Sequence, residues 1–319
     1  MIRVGIVGYG NLGKSLGYLV DESDKMELVG YFSRREIEGN LEVKRYGDIK
    51  DYKDKIDILF LCGSSDHDIE IQGPELVRDF NTIDCFDNHK HIYDYYQKMD
   101  KIAKESEKVS LISTGWDPGL FSLARTLFEA VLPKAKTYTF WGKGISQGHS
   151  AAVRAIEGVK DAAQYTIPRE DFLESVREGL EPEFTPQKAH LREVFVVVED
   201  GADKEIIERK IKTMPDYFEG YETRVNFVSQ EDLNKNHKGM PHGGRVIREG
   251  ENAKDQRARM EFILDLDRNP DFTAAVALAY GKAVYKLYKE KSYGAKTVLD
   301  IPISVLIDYD REYLLKHMI

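Results

Sequence analysis

Apolar and polar positions alternate most clearly in the first part of the chain. Ile2-Arg3-Val4-Gly5-Ile6-Val7 is short, apolar and β-branched, and predicts a strand buried on both faces. Gly8-Tyr9-Gly10-Asn11-Leu12-Gly13 interrupts it. Lys14-Ser15-Leu16-Gly17-Tyr18-Leu19-Val20 then carries apolar residues at helical spacing. Further strands are expected at Met26–Phe32, Val43–Tyr46, Ile56–Cys62, Thr82–Phe86 and Val109–Ile112, with a helix running to about Ser106. From Leu120 a helix leads to a strand at Lys136–Trp141 and a loop over Gly142–His149. Strands follow at Val159–Thr166, His190–Val198 and Tyr221–Val228, with a helix at Lys204–Thr213. A final helix, Phe272–Glu290, opens on Arg268-Asn269-Pro270-Asp271 and presents an Ala/Tyr-rich face expected to pack back on the first segment.

Strand, glycine turn and helix in that order form the dinucleotide-binding fingerprint. Gly8 permits a tight turn, Gly10 lets backbone approach a pyrophosphate, and Gly13 lets the helix pack on the strand. The helix N-terminus offers N–H groups and a partial positive charge to phosphates. The fold class that follows is α/β. A Rossmann-type doubly wound parallel sheet occupies residues 1–117, and an α+β substrate domain with an open sheet residues 118–268. The segment 269–319 returns to the first domain.

The second strand ends in Ser33-Arg34-Arg35. An NAD site places a carboxylate there, about 20 residues after the glycines, to bind the ribose 2′-hydroxyl. A hydroxyl and two guanidiniums match a 2′-phosphate instead, so NADP is the expected cofactor. The alternative is a pair of solvated loop charges.

Ligands of such sheets lie outside the carboxyl ends of the strands. Tyr9 to Leu12, Cys62-Gly63-Ser64-Ser65, Cys85-Phe86-Asp87 and Thr114-Gly115-Trp116-Asp117-Pro118 are therefore expected to border the cofactor. Cys62–Ser65 also reads as a plain turn before an Asp66 helix cap. Asp117 reads as an N-cap with Pro118 at the first helical position, and Asp87 as a turn residue. Both carboxylates nonetheless follow sheet strands and should project toward the nicotinamide.

The bulk numbers narrow the picture. The chain has 319 residues, 42% hydrophobic and 32% charged, with a formal net charge of −9. That charge disfavours nucleic acid and anionic membrane as partners. The two cysteines, Cys62 and Cys85, read as buried thiols of a reducing compartment. No metal-ligand spacing stands out. With no leader and no membrane-length apolar run, a cytoplasmic location is expected.

Several strings are long and particular: Ser113 to Gly119, Thr139-Phe140-Trp141-Gly142, Ser146-Gln147-Gly148-His149-Ser150, Met214-Pro215-Asp216-Tyr217-Phe218, Gly239-Met240-Pro241-His242-Gly243-Gly244 and Leu266 to Phe272. Through them nearly the whole chain resembles the meso-diaminopimelate dehydrogenases. The resemblance implies NADP-dependent oxidative deamination of the D-centre of meso-diaminopimelate. The products are L-2-amino-6-oxopimelate, which cyclises to tetrahydrodipicolinate on the way to lysine, and ammonia. It also implies a homodimer, with the second domain serving dimerisation as well as substrate binding.

The resemblance further assigns roles. Asp87 and Asp117 meet the ammonium at the reacting end and help handle protons. Trp141, Gln147 and Gly148 shape the pocket and hold the reacting carboxylate. Thr166, Arg192 and His242 grip the distal carboxylate, and Asn269 serves the distal end. By residue type alone, Arg192 is a solvated strand residue, His242 a loop histidine, Trp141 core and Asn269 a helix cap. One departure is Ala151, where the family commonly carries Asp after Ser-Gln-Gly-His-Ser. The Cys62–Ser65 turn also differs from the family's version. The rival readings are another NADP-dependent imine or carbonyl reductase, a broader D-amino acid dehydrogenase, or a non-catalytic NADPH sensor.

Overall fold

β1 (Ile2–Val7) runs straight into the glycine turn and the helix Asn11–Asp21, as the alternation requires. The computed structural model describes residues 1–37 and 43–319, without the side chain of Asp66. The remaining strands of the first half are β2 (Met26–Ser33), β3 (Val43–Arg45), β4 (Ile58–Leu61), β5 (Thr82–Asp84), β6 (Val109–Leu111) and β7 (Lys136–Trp141). The second half adds β8 (Gly144–Ile145), β9 (Val159–Pro168), β10 (His190–Val198), β11 (Glu222–Phe227), β12 (His242–Ala253), β13 (Gln256–Leu266) and β14 (Gly294–Lys296).

The chain divides into two compact units, one of residues 1–123 with 270–319, the other of residues 124–269. The first holds a seven-stranded sheet in the order β14-β6-β5-β4-β1-β2-β3, parallel at every pairing. The order reverses between β1 and β4, the switch point where such sheets open a crevice. The strands are apolar on both faces because helices cover both. On one face Val4, Ile6, Ile58 and Ile83 pack against Ala274, Ala277, Tyr280 and Val284 of the helix Asn269–Lys289. On the other, Val7, Phe32, Leu59 and Leu61 close over Leu76 and Phe80.

The second unit contains two smaller sheets. One is four-stranded, β11-β10-β9-β8, with β10 parallel to β11 and the other pairings antiparallel. The other is three-stranded and antiparallel, β13-β12-β7. The expected strands at 159–166, 190–198 and 221–228 correspond to β9, β10 and β11. The long hairpin of β12 and β13 is absent from the sequence reading, because its strands mix Gly, Arg and Glu into the apolar alternation. Arg248 is buried there with Nε donating to the Leu132 carbonyl (2.7 Å), Nη1 to Thr137 Oγ1 (2.6 Å) and Nη2 to the Pro133 carbonyl (3.2 Å). Paired with Glu129 as well, it is a satisfied core cation that no polarity pattern reveals.

Two local expectations are corrected. Gln147 and Gly148 do not lie in a loop: they open a helix, Gln147–Arg154, whose N-cap Ser146 accepts from the His149 N–H. Asp117 and Pro118 do not open a helix. Residues 115–118 first close on themselves, the Gly115 N–H donating to the Pro118 carbonyl (3.0 Å). The Asp117–Pro118 peptide is cis, and the helix begins only at Leu120. Among the described residues no helix is long and apolar enough to cross a membrane, and no His, Cys, Asp and Glu cluster could hold a metal ion.

Candidate functional site

In the first unit, the carboxyl ends of β1, β2 and β4 frame a cleft lined by Gly8, Tyr9, Gly10, Ser33, Arg34, Arg35, Tyr46, Cys62, Gly63, Ser64, Asp68 and Gln72. Gly8 sits at φ 105°, a left-handed value that suits glycine. A Cβ on Gly13 would lie 2.1 Å from the Gly8 carbonyl oxygen, so helix and turn approach as closely as the fingerprint demands. A Cβ on Gly10 would meet nothing. That open face, at a helix start that no N-cap side chain covers, has the room and the free N–H groups that a pyrophosphate needs. Leu12 points its side chain toward the apolar core, while Tyr9 meets Tyr31 edge to face at 4.8 Å.

Beyond the turn, Ser33 is buried and its Oγ accepts from the Arg35 N–H (3.1 Å). Arg35 is exposed. Arg34 is ion-paired with Asp68, whose Oδ2 also accepts from the Ser64 N–H (2.9 Å). Asp68 was not visible as a site residue, since it sits inside a helical turn after β4 where no spacing rule marks it. The donor set of a hydroxyl and two guanidiniums fits a nucleotide carrying a 2′-phosphate. Cys62 and Cys85 are half-buried free cysteines, and burial pushes the Cys62 thiol up to about 12.

The ends of β5 and β6 are tied to each other. Thr114 donates its N–H to the Asp84 carbonyl (2.8 Å), and Cys85 Sγ donates to the Thr114 carbonyl (3.0 Å). Phe86 and Trp116 are buried. Asp87 is exposed and held by Ser65, whose hydroxyl donates to Asp87 Oδ1 and whose Oγ accepts the Asp87 N–H (3.0 Å). Asp117 is half-buried in the turn that follows Trp116. Asp84 is 1% exposed, and burial pushes its carboxyl up to about 6 against three hydrogen bonds that favour the charge.

The second unit gathers the other expected residues along one line of backbone contacts. Trp141 ends β7. The next residue, Gly142, donates its N–H to the Gly243 carbonyl (2.8 Å), beside His242. Gly144 of β8 faces the His242 ring so closely that a Cβ would lie 2.5 Å from it. Gly144 pairs with Thr166, and Thr166 pairs with Arg192. Asn269 donates its N–H to the Met240 carbonyl (3.0 Å), two residues from His242. Gln147 and Gly148, exposed, begin the helix after β8.

Arg192 is the electrostatic centre of this group. It is 8% exposed, donates through Nη1 to Thr166 Oγ1, and lies over the Tyr221 ring at 4.2 Å. Its Nε has no partner, and among the described residues no carboxylate pairs with it. Burial lowers its proton affinity, yet a guanidinium stays charged. A buried cation without a counter-ion favours an incoming anion.

Two histidines, His149 and His190, feel its charge, and burial disfavours the protonated form of both and of His242. Burial, and then the Arg192 charge, lower His149 to about 4. Burial lowers His190 to about 4 despite its bond to the Pro186 carbonyl. His242 is lowered by burial as well. His149 and His190 are additions to the sequence reading. His190 accepts the Trp141 N–H at Nε2 (3.0 Å), a long-range contact that residue spacing does not encode.

Known proteins place the chain. Residues 115–268 match the diaminopimelic acid dehydrogenase C-terminal domain. The meso-diaminopimelate D-dehydrogenase of Acetivibrio thermocellus is 50% identical over 100% of this chain and 98% of its own. The Corynebacterium glutamicum DAP dehydrogenase, solved in complex with DAP, superposes with a TM-score of 0.92 at 44% identity, covering 100% and 99% of the two chains. An engineered D-amino acid dehydrogenase bound to NADP+ gives a TM-score of 0.87 at 43% identity, covering 100% and 99%. The glycine turn, the strand-end carboxylates and the buried Arg192 without a counter-ion thus sit in a chain that belongs to the meso-diaminopimelate D-dehydrogenase family.

Proposed function

We propose that this enzyme oxidatively deaminates the D-centre of meso-diaminopimelate with NADP. The D-carbon loses a hydride and its ammonium a proton; water adds to the resulting imine and ammonia leaves, giving L-2-amino-6-oxopimelate. NADP, when bound, accepts the hydride. In reverse, ammonia is fixed. The chain's own part is positioning and charge.

Ser65 fixes Asp87 by a two-way hydrogen bond and leaves Oδ2 for an ammonium. Asp87 and Asp117 then meet the reacting amino group and move its protons as the imine is hydrolysed. The cofactor lies along Tyr9–Leu12, Ser33–Arg35, Cys62–Ser65, Cys85–Asp87 and Thr114–Pro118. Trp141, Gln147 and Gly148 shape the pocket at the reacting carboxylate. Arg192 takes the distal carboxylate with Thr166 and His242, and Asn269 bonds at that end.

The observation that carries the reading is the buried, carboxylate-free Arg192 beside Thr166. A dicarboxylate satisfies it, whereas a simple D-amino acid leaves it unpaired. The test is NADPH formation at 340 nm with each stereoisomer of diaminopimelate in turn. Turnover of the meso isomer alone supports the assignment; none with any isomer removes it. Ala151, exposed on the helix after Ser146, favours a second reading with wider tolerance, because one carboxylate is missing from that helix. Neutral D-amino acids turned over at rates near that of the meso isomer select it. The homodimer and the cytoplasmic setting belong to the same proposal, and light scattering at working concentration tests the first.

A further inference from the structure

Asp84 is the last residue of β5, and it is 1% exposed. A buried carboxylate loses its hydration and is costly unless donors converge on it. Three do. Oδ1 accepts the Phe86 N–H at 3.0 Å and the Ser113 N–H at 2.9 Å, and Oδ2 accepts the Tyr95 hydroxyl at 2.8 Å.

The donors are placed informatively. Phe86 immediately precedes Asp87. Tyr95 belongs to the helix Ile92–Glu105, the element that the Asp87 loop enters. The Phe86 and Tyr95 rings also stack at 4.4 Å. One carboxylate therefore holds both ends of the Asp87 loop. Ser113 lies two residues past the end of β6, on the way to Asp117, and it sits at φ 55°, a left-handed value that costs a non-glycine residue energy. The bond from its N–H to Asp84 holds it there.

We propose that Asp84 is a positioning residue for the deamination: its carboxylate clamps the chain at Phe86 and Ser113, and so sets where Asp87 and Asp117 stand. The proposal rests on the roles given to those two carboxylates above. A core that needed only stability there could close with apolar side chains, since replacing a buried polar cluster by well-packed hydrophobes is often neutral. Asp84 instead bonds three points that all flank the two loops, and none on the β1–β2 side where the coenzyme's phosphates bind.

The experiment compares Asp84→Ala, Asp84→Asn, Tyr95→Phe and Asp87→Asn in the full chain, with NADPH affinity by fluorescence titration and kcat and KM for meso-diaminopimelate. Asp84→Ala is expected to lower kcat at least tenfold while the NADPH Kd stays within about twofold. Asp84→Asn, which keeps an acceptor for both N–H groups, restores most of the loss, and Tyr95→Phe lies between. Unchanged kcat in folded Asp84→Ala overturns the clamp, provided Asp87→Asn is impaired. Should Asp84→Ala not fold, Tyr95→Phe decides: wild-type kcat, or kcat and NADPH affinity falling together, overturns it. An Asp87→Asn enzyme with wild-type kcat instead defeats the site assignment on which the clamp depends.

Discussion

His190 Nε2 accepts the backbone N–H of Trp141 at 3.0 Å, while its Nδ1 donates to the Pro186 carbonyl at 3.1 Å. The ring is thereby fixed as the neutral Nδ1–H tautomer, wedged between the last residue of β7 and the short helix Pro186–Ala189 before β10. The His190 and Trp141 rings lie 5.7 Å apart. Trp141 owes its placement to an imidazole far away in sequence. His190→Phe fills the same space without the acceptor and strands an N–H, at a cost of about 1–3 kcal/mol. Its KM for meso-diaminopimelate is expected to rise several-fold with little change in KM for NADP, measured by initial rates.

Arg192 is the residue on which we propose that discrimination turns. Arg192→Met keeps length and burial and removes the charge. The kcat/KM for meso-diaminopimelate should fall on the order of 100-fold. Activity toward a neutral D-amino acid should hold or rise, because no unpaired cation then remains under the bound side chain. Competition between the two substrates measures the ratio directly.

Ser33, Arg34 and Arg35 are the residues we propose to set coenzyme choice. Arg34→Asp combined with Arg35→Ala replaces a cationic fork with a carboxylate of the kind that suits a ribose hydroxyl. The NADP:NAD ratio of kcat/KM is expected to drop on the order of 100-fold. The NAD arm should improve or stay level, and coenzyme saturation curves on both nucleotides check it.

The neutral histidines give the second unit an acid limit. His149 and His190, at about 4, lie below the usual 6.5, so the fold favours their uncharged forms. Their contribution is complete above pH 6.5 and is lost as pH falls toward 4, when the unfolded chain takes up protons that the fold refuses. The slope reaches ~1.4 kcal/mol per pH unit for each. Asp84, raised to about 6, acts oppositely: its contribution is present at low pH and lost as pH rises through 6. Urea unfolding of wild type and His149→Asn at pH 7 and pH 5 isolates one histidine. The variant should lose less stability between the two.

Most of the parallel sheet was legible because β1, β2 and β4 are mainly apolar runs, whereas the short edge strand β14, Gly294–Lys296, carries no such signal. The glycine turn was legible because each glycine answers a distinct steric demand, as Gly8 and Gly13 do. The hairpin of β12 and β13 was not, because Arg248 and Glu249 are buried by pairing and hydrogen bonding rather than by hydrophobicity. Asp117 and Pro118 carried the residue types of a helix start, and the closed turn at Gly115 displaced it. Family likeness named Arg192, which residue type alone reads as a solvated strand position. Its lack of a counter-ion, and the partners supplied by Asp68, Asp84 and His190, depend on contacts between residues remote in sequence.

The order of assembly follows from how the first core is stitched together. Residues 124–269 form a unit complete in itself, whereas the sheet of the nucleotide unit needs β14 at its edge and Tyr280 and Val284 against its face. On a ribosome, the segment that emerges first must therefore wait for the one that emerges late, while the middle of the chain is free to close. A nascent chain stopped before Asn269 would carry a bare apolar sheet face, and is the species for which chaperones would compete.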